Sequence, residues 1–90
     1  MTSIIIDGHE FKNKQEFHKL IKLKLDLPDY YGENLDALWD CLTGEIELPT
    51  SITWINFESS LKFLGEDATN IASVFEDAAV ELPEFTFSKQ

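Results

Sequence analysis

Along the chain the spacing of apolar and polar positions changes several times, and the changes mark the elements. Ser3 to Asp7 carries the β-branched run Ile4-Ile5-Ile6 and closes on the turn signal Asp7-Gly8, which predicts a buried strand. From Asn13 the period becomes helical. Phe17, Leu20, Ile21 and Leu25 share one face, and Asn13 with Glu16 three residues on forms a capping-box-like start. The lysines of this helix fall mainly on its solvated side. Asp26 to Glu33, punctuated by Pro28 and Gly32, predicts a loop, and Asn34 then caps a short helix running to about Thr43, where Gly44 ends it. Ser51 to Asn56 alternates as a second strand. Phe57 to Leu64 and Asp67 to Leu82 repeat at helical spacing, the second with Ile71, Val74, Phe75, Ala78 and Leu82 inward, and Glu84 to Ser88 predicts a third strand.

Strands separated by helices imply parallel pairing through right-handed crossovers, with the helices laid over the sheet. The expected architecture is α/β: a single compact domain over residues 1–90 with a three-stranded parallel sheet covered by about four helices. Ninety residues suffice for one core, and 43% hydrophobic residues with seven Phe and two Trp set the chain apart from disordered sequences despite its charge. The one cysteine, Cys41, has Leu38 and Leu42 as helical neighbours, so it reads as an ordinary buried thiol in a reducing compartment. Met1-Thr2-Ser3 has no basic side chain, and the apolar run after it is far shorter than a signal or membrane segment. The cytoplasm is the expected location.

Charge changes the picture more than composition does. Seventeen acids against seven lysines and no arginine give a net charge of −10, which argues against nucleic acid and for a basic partner. Five of the lysines lie between Phe11 and Leu25, and from Asp26 to Leu61 there are eight acids and no basic residue. Such segregation produces a one-signed field on part of the surface, able to steer an oppositely charged protein.

The helix predicted from Asn34 lies inside that acidic stretch. Leu35, Leu38, Trp39 and Leu42 form its inward stripe, while Asp36, Asp40 and Thr43 line another face. Like charges one turn apart cost an isolated helix a few tenths of a kcal/mol, and a carboxylate near the C-terminus opposes the helix dipole by roughly 0.3 to 1 kcal/mol. Local stability does not choose this arrangement, whereas a binding role explains it; the competing reading is a merely solvated face. Asp77 and Glu81, also one turn apart, would extend the anionic surface if the last helix lies beside this one. Tyr30 is either an interface aromatic or a core one.

The run from Tyr30 to Gly44, with Leu27-Pro28 before it and Pro49 after it, resembles the signature of the barstar family, intracellular inhibitors of the extracellular ribonuclease barnase. Chain length and element order resemble that family too. The resemblance implies that the helix starting near Asn34 and the loop before it enter a ribonuclease active site, with Asp36 and Asp40 meeting its basic residues and Asp40 in the place of a substrate phosphate. Tyr30, Asn34, Leu35, Thr43 and Gly44 match further contact positions, and Glu81 a peripheral acid. Asp77 replaces a longer Glu, and Glu45 stands where the family's best-known member has Trp. Pro49 matches a cis proline, although an X-Pro bond by itself makes cis a minority expectation. With Trp39 added, the expected partner-binding set is Tyr30, Asn34, Leu35, Asp36, Trp39, Asp40, Thr43, Gly44, Glu45, Asp77 and Glu81.

The expected function is inhibition of a small basic secreted ribonuclease by a protein that is monomeric when free, needs no cofactor or metal, and binds neither nucleic acid nor membrane. A second reading keeps the fold and gives it a basic partner that is not a ribonuclease. A third makes Asp36 and Asp40 an acid/base pair or metal ligands. Against it, His9 lies in a predicted turn, His18 on a lysine-rich helix, and no HExxH, Cys-His, EF-hand or P-loop pattern is present.

Overall fold

The computed structural model describes residues 2–90. Its elements are β1 (Thr2–Asp7), α1 (Lys14–Lys24), α2 (Leu35–Gly44), β2 (Thr50–Ile55), α3 (Phe57–Leu64), α4 (Glu66–Glu81) and β3 (Phe85–Lys89). The three strands form one parallel sheet in the order β1-β2-β3, with Ile4 opposite Ile52 and Ile52 opposite Phe87. Each crossover contains two helices, well beyond the roughly dozen residues that a parallel connection needs.

One face of the sheet is buried. Thr50, Ile52 and Trp54 alternate with half-buried residues along β2. In β1 only Ile6 is fully buried, and Ile5 is 54% exposed, so the edge strand is covered on one side and not on both, as its apolar run had implied. The period of two explains this: in three consecutive isoleucines the middle one must point away from the core.

Trp54 is the centre of the core. Its indole stacks on Phe17 at 5.7 Å between ring centroids and meets Phe11, Phe57 and Phe75 edge-on or tilted. The buried indole N–H donates to Ser60 Oγ at 3.0 Å, which satisfies the one polar atom of a side chain otherwise surrounded by hydrocarbon. Gly8 makes room for this arrangement. A Cβ there would stand 2.3 Å from the Asn56 carbonyl oxygen and 2.6 Å from Ser60 Oγ, so no larger residue fits.

Asn13 caps α1 by accepting from Glu16 N, but the Glu16 carboxylate reaches back to Lys12 N and not to Asn13. Phe17 and Ile21 are buried, with Leu20 and Leu25 half-buried beside them. Asn56 takes a left-handed conformation at φ 55° before α3, and its amide donates to Asp7 Oδ1 at 2.8 Å, joining the ends of β1 and β2. That bond and the His9 backbone N–H hold the Asp7 carboxyl below its ordinary value. The Leu48-Pro49 peptide is cis. Among the described residues no helix is long and apolar enough to cross a membrane.

Candidate functional site

The loop 26–33 and α2 are fixed by hydrogen bonds both local and long-range. Asn34 has extended backbone, φ −144° and ψ 173°, and its side-chain oxygen accepts from Ala37 N at 2.8 Å, so one of the four unpartnered amides of the helix start is satisfied. Tyr31 N donates to the Pro28 carbonyl at 2.9 Å and closes a turn in the loop. The Tyr31 phenol meets His18 Nδ1 of α1 at 2.6 Å, with both side chains buried. Burial pushes the Tyr31 phenol well above, and the His18 imidazole below, their ordinary values. The two are therefore a neutral pair joined by one hydrogen bond, whose direction follows the imidazole tautomer.

This pairing is invisible to pattern reading, since residues 13 apart meet only through the fold. It settles the roles of the two tyrosines: Tyr31 is the core aromatic, and Tyr30 is 74% exposed. Tyr30 is not loose, because its hydroxyl donates to Glu45 Oε1 at 2.8 Å, tying the loop to the residue that ends α2. That hydrogen bond first, and then desolvation and the carboxylate's charge, hold the Tyr30 phenol above its ordinary value.

Leu38, Cys41 and Leu42 of α2 are buried, while Leu35 and Trp39 are half-buried at the margin of the core. Asp36, Asp40, Thr43 and Gly44 are exposed. Thr43 Oγ1 donates to the Trp39 carbonyl, and Gly44 is the last helical residue, with Glu45 as the cap. The last turn holds no basic side chain, so the negative end of the helix dipole and the carboxylates of Asp40 and Glu45 add in sign. Cys41 is buried as expected, with its thiol pushed up by burial, then by the charges of Glu45 and Asp40.

Among the described residues no Lys or His comes within 4.0 Å of Asp36, Asp40, Asp77 or Glu81; the four ion pairs join His9 with Asp7, Lys14 with Asp67, Lys22 with Asp29, and Lys89 with Glu76. α4 packs against α2, so the exposed Asp77 and Glu81 belong to the neighbouring helix, without a hydrogen bond to the α2 residues. The expected residues therefore fall in two groups, the loop with α2 and, on the helix packed against it, Asp77 and Glu81. Two features were missed. Val80 is 84% exposed next to Glu81, and its position off the Ile71, Phe75, Ala78 and Leu82 stripe was the available signal. Glu33, just before the cap, is left-handed at φ 53°, a conformation only Gly would have announced.

Carboxylates held outward on a capped helix without cations of their own can accept hydrogen bonds and charge from another molecule. Among the described residues no group of three or more His, Cys, Asp or Glu is placed to hold a metal ion. Comparison with known proteins decides the lineage. The sequence matches the family described as Barstar (barnase inhibitor) over residues 1–88. The chain belongs to the barstar family. It is also 52% identical over 82 residues to a protein of Bacillus subtilis (strain 168) named "Putative ribonuclease inhibitor YrdF", covering 91% of this chain and 90% of that protein. Glu45 and Asp77 are both exposed.

Proposed function

We propose that this barstar-family chain, as one domain over residues 1–90, inhibits a small basic secreted ribonuclease by covering its active site with α2 and the loop before it. The observation that carries the reading is the pair Asp36 and Asp40, exposed one turn apart with no Lys or His among the described residues in reach. A ribonuclease must hold cationic groups where RNA phosphates bind, and carboxylates presented from a rigid helix fit those groups as the phosphates do. Asp40 is the phosphate mimic in this account, with Asp36 beside it, Tyr30, Asn34, Leu35, Trp39, Thr43, Gly44 and Glu45 in the surrounding contact, and Asp77 and Glu81 at its edge.

Inhibition of this kind needs no catalysis by the inhibitor. The acidic field speeds encounter, and desolvated charge pairs slow release. Its place is the cytoplasm of the producing cell, where it protects RNA until the enzyme is exported. The test is RNA cleavage by a panel of secreted ribonucleases, barnase and other guanyl-specific enzymes included, with and without the purified protein. Stoichiometric loss of cleavage is expected for at least one basic member. Inhibition of none, with capture of a basic protein lacking ribonuclease activity, would replace this reading by that of an interaction module with another partner.

A further inference from the structure

Tyr30 is a large aromatic ring on an exposed loop, yet one contact determines where its tip lies. Its hydroxyl donates to Glu45 Oε1 at 2.8 Å, and Glu45 is itself anchored, because its backbone N–H closes α2 on the Cys41 carbonyl at 2.9 Å. The carboxylate therefore springs from a fixed point and holds the ring from 15 residues away. Only one of its oxygens is occupied in this way, and among the described residues no Lys or His lies within 4.0 Å of it. Beside Glu45 opens a recess of about 390 Å³, lined among the described residues by Asp26 and Glu47 and by one cation, Lys24.

We propose that Glu45 positions Tyr30 and selects, among basic ribonucleases, one that brings a Lys or Arg side chain against this corner of the surface. The inference rests on the inhibitor reading above and specifies the partner it fits. An apolar side chain arriving there would strip water from a carboxylate and offer nothing in return, which is costly. A cation would pair with the free oxygen while lying near the Tyr30 ring, whose face attracts positive charge. Holding the ring beforehand also lowers the entropy lost on binding, since ordering one such side chain changes affinity by roughly 2- to 10-fold.

The experiment measures association and dissociation rates of Glu45→Gln, Glu45→Ala, Tyr30→Phe and the double variant Tyr30→Phe/Glu45→Ala. The probes are barnase and the enzyme most strongly inhibited in the panel, with Asp40→Ala alongside. Gln keeps an acceptor for the phenol and loses the charge, so Glu45→Gln should slow association severalfold at low ionic strength with little change in dissociation. Glu45→Ala should add roughly 2- to 10-fold faster dissociation, and Tyr30→Phe should cost less in the Ala background than alone. In the free protein, NMR titration should show the Tyr30 phenol ionising closer to the ordinary tyrosine value in Glu45→Ala than in the parent. If both Glu45 variants bind within about twofold of the parent while Asp40→Ala fails, the inference is wrong and the inhibitor reading stands. If Asp40→Ala also binds normally, or the parent binds no ribonuclease, both fall.

Discussion

Replacing Tyr31 by Phe removes one oxygen from the join between α1 and the loop that leads into α2. His18 Nδ1 then loses the partner it has at 2.6 Å. His18 and Tyr31 are only 4% and 5% exposed, so water cannot take the hydroxyl's place without opening the loop. A buried ring nitrogen left without its partner, as donor or as acceptor, costs about 1–3 kcal/mol, and the retained ring keeps the cavity contribution small. In a domain of this length each kcal/mol moves Tm by about 4–8 °C, so the expected fall is roughly 4–24 °C. Thermal and urea melts at pH 7.5 measure it, with Tyr30→Phe as the exposed control, expected within about 0.5 kcal/mol of the parent. The same pair predicts a pH effect. Burial holds the folded His18 below its ordinary value of 6.5, so on acidification through 6.5 the unfolded chain takes up a proton that the folded chain refuses. Stability from this group is therefore complete above pH 6.5 and declines as pH falls toward the folded value, and His18→Leu should flatten that slope. A Tyr31→Phe protein as stable as the parent, or a parent that His18 makes more stable as pH falls from 7 to 6, would overturn this role for the pair.

Other consequences follow from single contacts. Asn34→Ala deletes the cap on Ala37 N and should cost about 0.5–2 kcal/mol in a urea melt, while Asn34→Gly should cost only a few tenths; equal losses would show that the side chain is not the cap. Gly8→Ala drives a methyl into the Asn56 carbonyl and Ser60 and should destabilise by about 1–3 kcal/mol or more, read as a lowered urea midpoint with loss of Trp54 fluorescence change on unfolding at the parent's midpoint. Association with a basic ribonuclease should slow steeply between 0.1 and 1 M salt, as the Debye length contracts from about 10 to 3 Å, with dissociation changing much less. Barnase and its inhibitor are themselves the type case for this effect, so its direction is inherited in part from the family. Stopped-flow association that ignores salt would remove the steering role of the acidic surface.

Much of the fold is legible because its signals are local. Asn13 and Asn34 announce two helix starts by chemistry that needs only the next three residues, and both caps form. The Ile71, Phe75 and Ala78 spacing announces the buried side of α4 in the same way. What the sequence hid depends on partners far along the chain. Ile5 belongs to an apolar run, and only knowing that the helices lie on one face of the sheet shows that it is left outside. His18 stands among lysines, and only the arrival of Tyr31 makes burial of an imidazole affordable.

The candidate surface shows the same division. Helical geometry fixes that Asp36 and Asp40 project together, and their exposure follows from the buried stripe of Leu38, Cys41 and Leu42 opposite them. The Tyr30–Glu45 hydrogen bond does not follow from spacing, since it spans the loop and all of α2. Nor does the packing against α2 of α4, the helix that carries Asp77 and Glu81.

In the proposed inhibition an outward carboxylate on α2 supplies the decisive contact with a cationic active site, and removal of Asp40 probes that contact. Asp40→Ala and the parent are titrated calorimetrically into barnase or the panel's best-inhibited enzyme, with a urea melt of each protein run in parallel. Asp40 is exposed and makes no ion pair among the described residues, so its removal should leave folding stability unchanged or slightly raised. In the complex the converging donors would be left buried and unpaired, so affinity should fall by more than about 2 kcal/mol, roughly 30-fold in Kd. An Asp40→Ala protein that binds as the parent does, or that binds poorly only because it has unfolded, would contradict the account.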